Sequence, residues 1–471
     1  MTKKQSGKGR LVRLDRDNRR NLDLDLVLSI DIFLSRRYSF QTQKSIYYSA
    51  RTLSSSFLLV KIDSWSRAKL FQTQIPCKVM SELSTEHQVP VSKEKYIAFL
   101  GTYIPRECGI ATFMKDLIDS IELLGKFRPA RIISVNEIET TYLYDRRVRR
   151  QMRVDFEEDY VQAAKYVNSS RVNAVNMQHE FGIYGGEWGK YILSFLQNVH
   201  KPVITTLHTV QPDFEPKARN VLKEILDHSK AIVVMAKAAK SILKEYDVPN
   251  EKIKVVQHGC PDIPFLSSDR VKSSLGLKGR TILSTFGLIN RGKGIEYAIQ
   301  ALPSLVRKHP NILYLIIGET HPGVRIIEGE SYRLELLRLV VQLGLKNHVR
   351  FHNRFLTKRE LIRYLQGTDI YITPYLSPNQ ASSGPLVYAL GAGKAVVSTP
   401  YIHAKDVLSH GRGMFCEFKN PDSIADKVKK LVENDKLRRD MENKAYKYSR
   451  SFIWPKIAQK YADIFEQAIH T

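Results

Sequence analysis

Thr281-Ile-Leu-Ser-Thr-Phe-Gly287-Leu-Ile-Asn-Arg-Gly-Lys293-Gly294 is the stretch on which the reading of the fold turns. A short apolar, β-branched run ends at Gly287, and a basic, glycine-bearing turn leads from it into a helical pattern. A strand passing through a tight turn into a helix is the repeating unit of a parallel sheet. Downstream, apolar runs at 312–317, 349–352, 370–373 and 395–398 alternate with amphipathic segments. Upstream, runs at 96–100, 131–135, 172–177, 202–207, 231–235 and 253–256 do the same, with helical patterns between them, for instance at 113–124 and 216–226. The proline-rich stretch GCPDIPFLSS, 259–268, breaks the rhythm and reads as a linker. The class is therefore α/β, with two Rossmann-like halves. Helical patterns at 421–449 and, after Trp454-Pro455, at 456–469 close the chain.

Working outward, 471 residues suit two domains with chain to spare. The expected divisions are a poorly structured basic extension over 1–90, a first Rossmann-like domain over 91–265, a second over 266–450, and a closing helix over 451–471. Within the extension only Leu22-Asp-Leu-Asp-Leu-Val-Leu-Ser-Ile-Asp-Ile-Phe-Leu34 alternates like a strand, and Met80 reads as a plausible start, which makes 1–79 an expected addition to the functional chain. The composition, 43% hydrophobic and 26% charged, is that of a globular protein. No apolar run approaches the roughly 20 residues of a membrane helix, and no signal core follows the basic start. A cytoplasmic location is expected, with contact at the inner membrane face left open. Four scattered cysteines, Cys77, Cys108, Cys260 and Cys416, indicate neither a disulfide framework nor a metal site. The net charge of +25 calls for an anionic partner, and a cluster at Arg146, Arg147, Arg149, Arg150 and Arg153 reads either as a phosphate- or membrane-facing patch or as a solvated helix face.

In open parallel sheets ligands lie beyond the carboxyl ends of the strands, so polar residues after each apolar run are the candidates. After the first strand, Gly109 stands at a helix entrance where backbone N–H groups can approach an anion or a sugar, a tight turn being the plain alternative. Two later strands end in Gln178-His179-Glu180 and Leu207-His208-Thr209, which aims both histidines at one crevice. Gly287 to Lys293 fits the G-x-x-x-x-G-K spacing of a triphosphate-binding loop, but Gly294 stands where the magnesium-binding Ser or Thr belongs. What survives is a basic pair, Arg291 and Lys293, suited to a diphosphate. In the stretch 371–398, Ser382, Ser383 and Gly384 open a short helix whose N–H groups and dipole favour a phosphate.

With these residues in view, the chain from about Tyr96 to about Phe465 resembles glycosyltransferase family 4, retaining transferases of the GT-B fold. The resemblance rests on the order of P-R-E-C-G-I-A-T-F (105–113), Q-H-E-F-G-I-x-G-G (178–186) and T-P-Y (399–401), a set like that of a bacterial or archaeal branch. It implies two Rossmann-like domains facing a central cleft, with the C-terminal helix crossing back. It also implies transfer from a nucleoside diphosphate sugar, GDP-mannose or UDP-glucose with a lean to mannose, to a glycan or lipid-linked acceptor hydroxyl. No further cofactor, no metal and no nucleic-acid partner are implied. Within it, Lys293, Arg291 and His208 take the catalytic positions; Gly287, Gly294, Gln380, Ser382, Ser383, Gly384 and Tyr388 the donor-binding ones; and Gly109, His179 and Glu180 the loops of the first domain. The sequence departs from the pattern at Leu288, where the family has Arg, and at Gln380 and Tyr388, where it has the two glutamates of E-x7-E. A non-catalytic sugar-nucleotide-binding protein, or an epimerase or phosphorylase on the same fold, is therefore the alternative.

Overall fold

The computed structural model describes residues 94–137 and 142–470 with their side chains, together with the backbone of four strands between 40 and 72. Those four, β1 (Phe40–Thr42), β2 (Ser45–Arg51), β3 (Phe57–Ser64) and β4 (Arg67–Gln72), form an antiparallel sheet in sequential order. They lie within the segment expected to be poorly structured. The strand-like pattern at 22–34 and the start at Met80 fall outside the described residues.

The second unit, Lys93–Thr471, holds two parallel sheets. The first is built from β5 (Tyr96–Gly101), β6 (Arg131–Asn136), β7 (Val148–Arg153), β8 (Val172–His179), β9 (Val203–Leu207), β10 (Ala231–Val234) and β11 (Ile253–Val255), in the order β11-β10-β9-β8-β5-β6-β7. Five of them coincide within two residues with the apolar runs read from the sequence at 96–100, 131–135, 172–177, 202–207 and 253–256, and the run 231–235 gives β10. The second sheet comprises β12 (Thr281–Phe286), β13 (Ile312–Ile317), β14 (Val349–His352), β15 (Ile370–Thr373), β16 (Ala395–Ser398) and β17 (Met414–Phe415), in the order β14-β13-β12-β15-β16-β17. Central strands such as β13, Ile-Leu-Tyr-Leu-Ile-Ile, are buried along their whole length because helices cover both faces. In each sheet the strand order reverses beside its first strand, between β5 and β8 and between β12 and β15. A crevice opens at such a switch point because the loops leave in opposite directions.

Two strands of the parallel sheets escaped the reading of the sequence. β17 is two residues long. β7, Val-Arg-Arg-Gln-Met-Arg, is the edge strand of the first sheet, so the arginine cluster is neither a helix face nor a single patch. Only Met152 is fully buried, with Val148 packing half-buried against the core, and an edge strand needs no continuous apolar run. Arg147, just before it, is turned inward onto Asp119 (2.8 Å), Glu122 (3.4 Å) and Asp145 (2.9 Å). The pattern at 421–449 is likewise two helices, Pro421–Glu433 and Asp435–Ser449, separated at Asn434, whose side chain accepts a hydrogen bond from Leu437 N.

The two halves are joined by chain that crosses twice. After β11 the chain enters the second half through His258 to Ser268, and it returns at Ile453. The crossings run side by side: Cys260 N donates to Phe452 O (3.0 Å) and Trp454 N to Cys260 O (2.9 Å). The returning helix, Trp454–His470, then fills the first half's core with Ile457, Tyr461 and Phe465, all fully buried. Phe465 meets Phe99 and Phe127 edge-on, each at 6.0 Å between ring centres, and Tyr461 Oη hydrogen-bonds Thr206 Oγ1 (3.1 Å). The expected crossing helix is thus a structural part of the first half. Phe465→Ala removes a fully enclosed ring, and is expected to lower the unfolding free energy by about 3–5 kcal/mol in urea denaturation. A loss below about 1 kcal/mol would show that the helix is not integral to that core.

Candidate active site

The carboxyl ends of β12 and β15 bring the first cluster together. Gly294 follows β12 in the left-handed region, φ +62°, and a Cβ there would stand 2.2 Å from Pro374 O. Neither Ser nor Thr fits this position, so the turn cannot carry the hydroxyl that a magnesium-triphosphate loop requires. Lys293 just before it donates Nζ–H to Tyr375 Oη (2.7 Å) and lies over the same ring, 4.0 Å from its centre. Gly287 lies beside that ammonium: a Cβ there would be 3.9 Å from Nζ. Tyr375 stacks on Tyr401 (5.0 Å between centres), and Ser383 Oγ donates to its Oη at 3.4 Å. Although burial raises its pKa, the Lys293 charge and hydrogen bond bring Tyr375 below the usual phenol value.

Ser383 also caps the helix Gly384–Gly391, accepting from Leu386 N (3.3 Å), while its own N–H donates to His403 Nδ1 (2.8 Å). The lysine and the helix N-terminus are therefore linked through one tyrosine. Both favour a negatively charged ligand.

The first half contributes the opposite wall. His208 follows β9 and meets Phe113 edge-on at 5.0 Å. Its tautomer follows from a chain of hydrogen bonds. Asn176 Nδ2 donates to Ile204 O (3.1 Å) and Thr206 Oγ1 (3.2 Å), which directs its oxygen to Gln178 Nε2 (2.6 Å). Gln178 Oε1 then faces His208 Nε2 at 2.9 Å, so Nε2 carries the proton and Nδ1 presents a lone pair. His179 is fully buried against Phe181 and Tyr184, with neither ring nitrogen hydrogen-bonded. Glu180 turns away from it to accept from Phe181 N (3.1 Å) and Thr209 Oγ1, and burial raises its pKa. Gly109 begins the helix Gly109–Leu123 in open space, leaving that N-terminus free of side-chain caps.

Direct contacts close the two halves on each other. Ser382 Oγ donates to His208 O (2.8 Å), and Gly384 sits so close to His258 that a Cβ would be 2.9 Å from Nε2. Tyr388 Oη donates to Asp116 Oδ2 (2.5 Å), and Lys358 Nζ pairs with Asp116 Oδ1 (2.6 Å). Gln380 donates Nε2–H to Ser382 O (2.7 Å), which stiffens the loop that carries Ser382 to Gly384.

One expected site residue is placed elsewhere. Arg291 reaches outward to Glu335 (2.8 Å) and Glu328 (3.1 Å), so its guanidinium is not paired with Lys293 around one ligand. The turn Arg291–Lys293 is a single 3-10 turn, which sends residues two apart in different directions. His321, which caps the helix Pro322–Glu328, has its pKa lowered by burial and then by the nearby charges of Lys293 and Arg106. Arg106, in the loop after β5, is itself held by Val135 O (3.3 Å) and Glu137 (2.9 Å). Lys293 and Arg106 thus approach neutral His321 from the two halves, with Glu137 paired to Arg106.

The family models match both halves: residues 267–448 fit glycosyl transferases group 1, and residues 179–262 fit Glycosyltransferase Family 4. The chain has the GT-B fold. An uncharacterized glycosyltransferase of Methanocaldococcus jannaschii is 26% identical over 257 residues, 54% of this chain and 62% of that protein. A D-inositol 3-phosphate glycosyltransferase of Corynebacterium jeikeium is 26% identical over 268 residues, 54% of this chain and 61% of that protein. The chain spans about three fifths of the length of these relatives. Among solved structures, HepE of Anabaena in complex with UDP superposes with a TM-score of 0.63 at 15% identity, covering 79% of this chain and all of that one. These likenesses place the fold, with two sheets and the cleft between them.

Around the cleft, His258 and His403 were missed in the sequence. His258 closes the β11 run, where the rule that finds His208 also applies. His403 lies four residues past Thr399, inside a helix, and no pattern marks it. Asp116 and Lys358 were missed because a charged residue on a helix gives no sign of the element it will meet.

Burial holds His179, His208 and His403 at about 3 and His258 at about 4, so all four are neutral when folded. Once unfolded they return to about 6.5. Between these values the unfolded chain binds protons that the folded chain refuses, so stability is full above about pH 6.5 and falls as pH drops. Urea midpoints are expected to be lower at pH 5.0 than at pH 7.5. His179→Leu is expected to shrink that difference by on the order of 1–2 kcal/mol. An equal pH dependence in the variant would show that His179 is not held neutral by its burial.

Proposed function

We propose that this protein transfers a sugar from a nucleoside diphosphate sugar to an acceptor hydroxyl, with retention of configuration. The observation that carries the reading is the linked pair of Lys293 and the Ser383-capped helix N-terminus, set opposite His208 at the paired switch points of a GT-B fold. As the glycosidic bond breaks, negative charge grows on the departing diphosphate. Lys293, the positive end of the helix dipole at Gly384 and Arg106 would stabilise it, and groups fixed beforehand do so without reorganising. The leaving diphosphate oxygen takes the acceptor proton on the same face, so no protein nucleophile is required. His208 stays neutral near pH 7 and offers its Nδ1 lone pair to a sugar hydroxyl. UDP is the first donor nucleotide to test, since HepE binds it, and GDP-mannose the second.

The assay is release of nucleoside diphosphate from each donor, with and without acceptor. Lys293→Ala is expected to lower kcat/KM by about 100–1,000-fold, the usual effect of removing one such contact. A chelator is expected to leave turnover unchanged, and turnover that a chelator abolishes would require a metal-assisted mechanism instead.

One observation favours a second reading, a sugar-nucleotide-binding protein without transfer. At the positions of the family's two glutamates, Gln380 is hydrogen-bonded within its own loop and Tyr388 to Asp116. On the catalytic reading both exchange these partners for the donor, and Gln380→Ala lowers kcat/KM by roughly 5–150-fold. If the native protein is inert with every donor while the double change Gln380→Glu with Tyr388→Glu restores transfer, the second reading holds.

A further inference from the structure

The transfer reaction makes no use of the arginines on β7. The register of that strand shows what sets two of them apart. Ile132 of β6 stands opposite Val148 and Ile133 opposite Arg150, so Arg149 is an extra residue, a bulge in the edge strand. A bulge interrupts the alternation that would send neighbouring side chains to opposite faces, and re-aims them. Arg149 and Arg150 are both exposed, and neither forms an ion pair among the described residues. Arg147 is surrounded by three carboxylates, and Arg153 is held by Asp159 at 2.8 Å. Arg149 and Arg150 border a cavity of about 510 Å3 between the strand edge and the helix Glu157–Ser169, which Gln151 and Gln162 also line. Its one carboxylate, Asp159, is neutralised by Arg153.

We infer that this bulged edge is a binding site for the phosphate group of a ligand other than the sugar donor. Guanidinium groups match phosphate oxygens through paired N–H bonds, and two beside a cavity can hold a doubly charged group. β7 is four strands from β9, about 19 Å at ordinary sheet spacing, so the site is separate from His208. Charges on an edge strand also deter edge-to-edge pairing. That role is satisfied by charge anywhere along the edge, and requires neither a bulge nor a cavity.

The test measures binding, so it stands apart from whether the protein transfers sugar. Inorganic pyrophosphate is titrated calorimetrically into the full chain carrying Lys293→Ala, which weakens the competing donor site. In parallel, the full chain is floated with vesicles of phosphatidylglycerol in phosphatidylcholine, and of phosphatidylcholine alone. The double change Arg149→Gln with Arg150→Gln is compared with Arg146→Gln with Arg171→Gln, which removes the same charge from exposed arginines outside the cavity. The site predicts about tenfold weaker binding for the first pair and less than twofold for the second. Loss confined to pyrophosphate identifies a soluble phosphate ligand, and loss confined to phosphatidylglycerol vesicles a lipid headgroup. If neither probe binds, or if both pairs weaken binding equally, the inference is wrong. Should the glutamine pair fail to fold, Arg149→Lys with Arg150→Lys keeps the charge and loses the paired donors, and several-fold weaker pyrophosphate binding is expected.

Discussion

The first sheet buries one of its faces against a helix made from the last seventeen residues of the described chain. Much else depends on that packing. Because Trp454–His470 must reach the first half, the chain has to cross back, and it does so beside the crossing that left it, tied by the hydrogen bonds of Cys260. Phe113 sits where these demands meet. Its ring touches Trp454 at 5.3 Å, His258 at 5.0 Å and His208 at 5.0 Å, so the returning helix, the outgoing linker and a cleft residue share one aromatic contact.

The cleft inherits its precision from this junction. His258 belongs to the linker, and Gly384, which opens the anion-directed helix, packs directly on it. Ser382 reaches the carbonyl of His208 from the same loop. The groups that would hold a diphosphate are thus referenced to the first half largely through buried, uncharged side chains, and the one buried carboxylate among them, Asp116, is paired with Lys358 and hydrogen-bonded by Tyr388. Such an arrangement avoids burying an ion without a partner.

The sequence was most informative where one local rule decides the outcome. All strands of the second sheet except β17 were legible to the residue, because fully buried parallel strands are continuous apolar runs. Strand β7 was hidden for the same reason in reverse: at a sheet edge, solvent accepts three arginines and a glutamine. The candidate site residues divided along similar lines. Lys293, His208 and Ser383 follow strands or open a helix, and position alone singles them out. Arg291 was misplaced since spacing in a turn does not fix side-chain direction. Arg106, His403 and Asp116 matter through contacts with residues far away in sequence, which no local pattern records.

The Trp454–His470 helix also orders events during synthesis. Strands β5 to β11 emerge from the ribosome well before the helix that completes their core, with roughly 200 residues still to be translated. At about 5–20 residues per second the wait is on the order of 10–40 s. Over that interval the surface later covered by Phe465 and Tyr461 has no permanent occupant, while the second sheet, whose core residues lie between 277 and 445, can already be assembling. The half that begins first is therefore finished last, and the nascent chain has to keep an apolar face from other partners until its own C-terminus arrives.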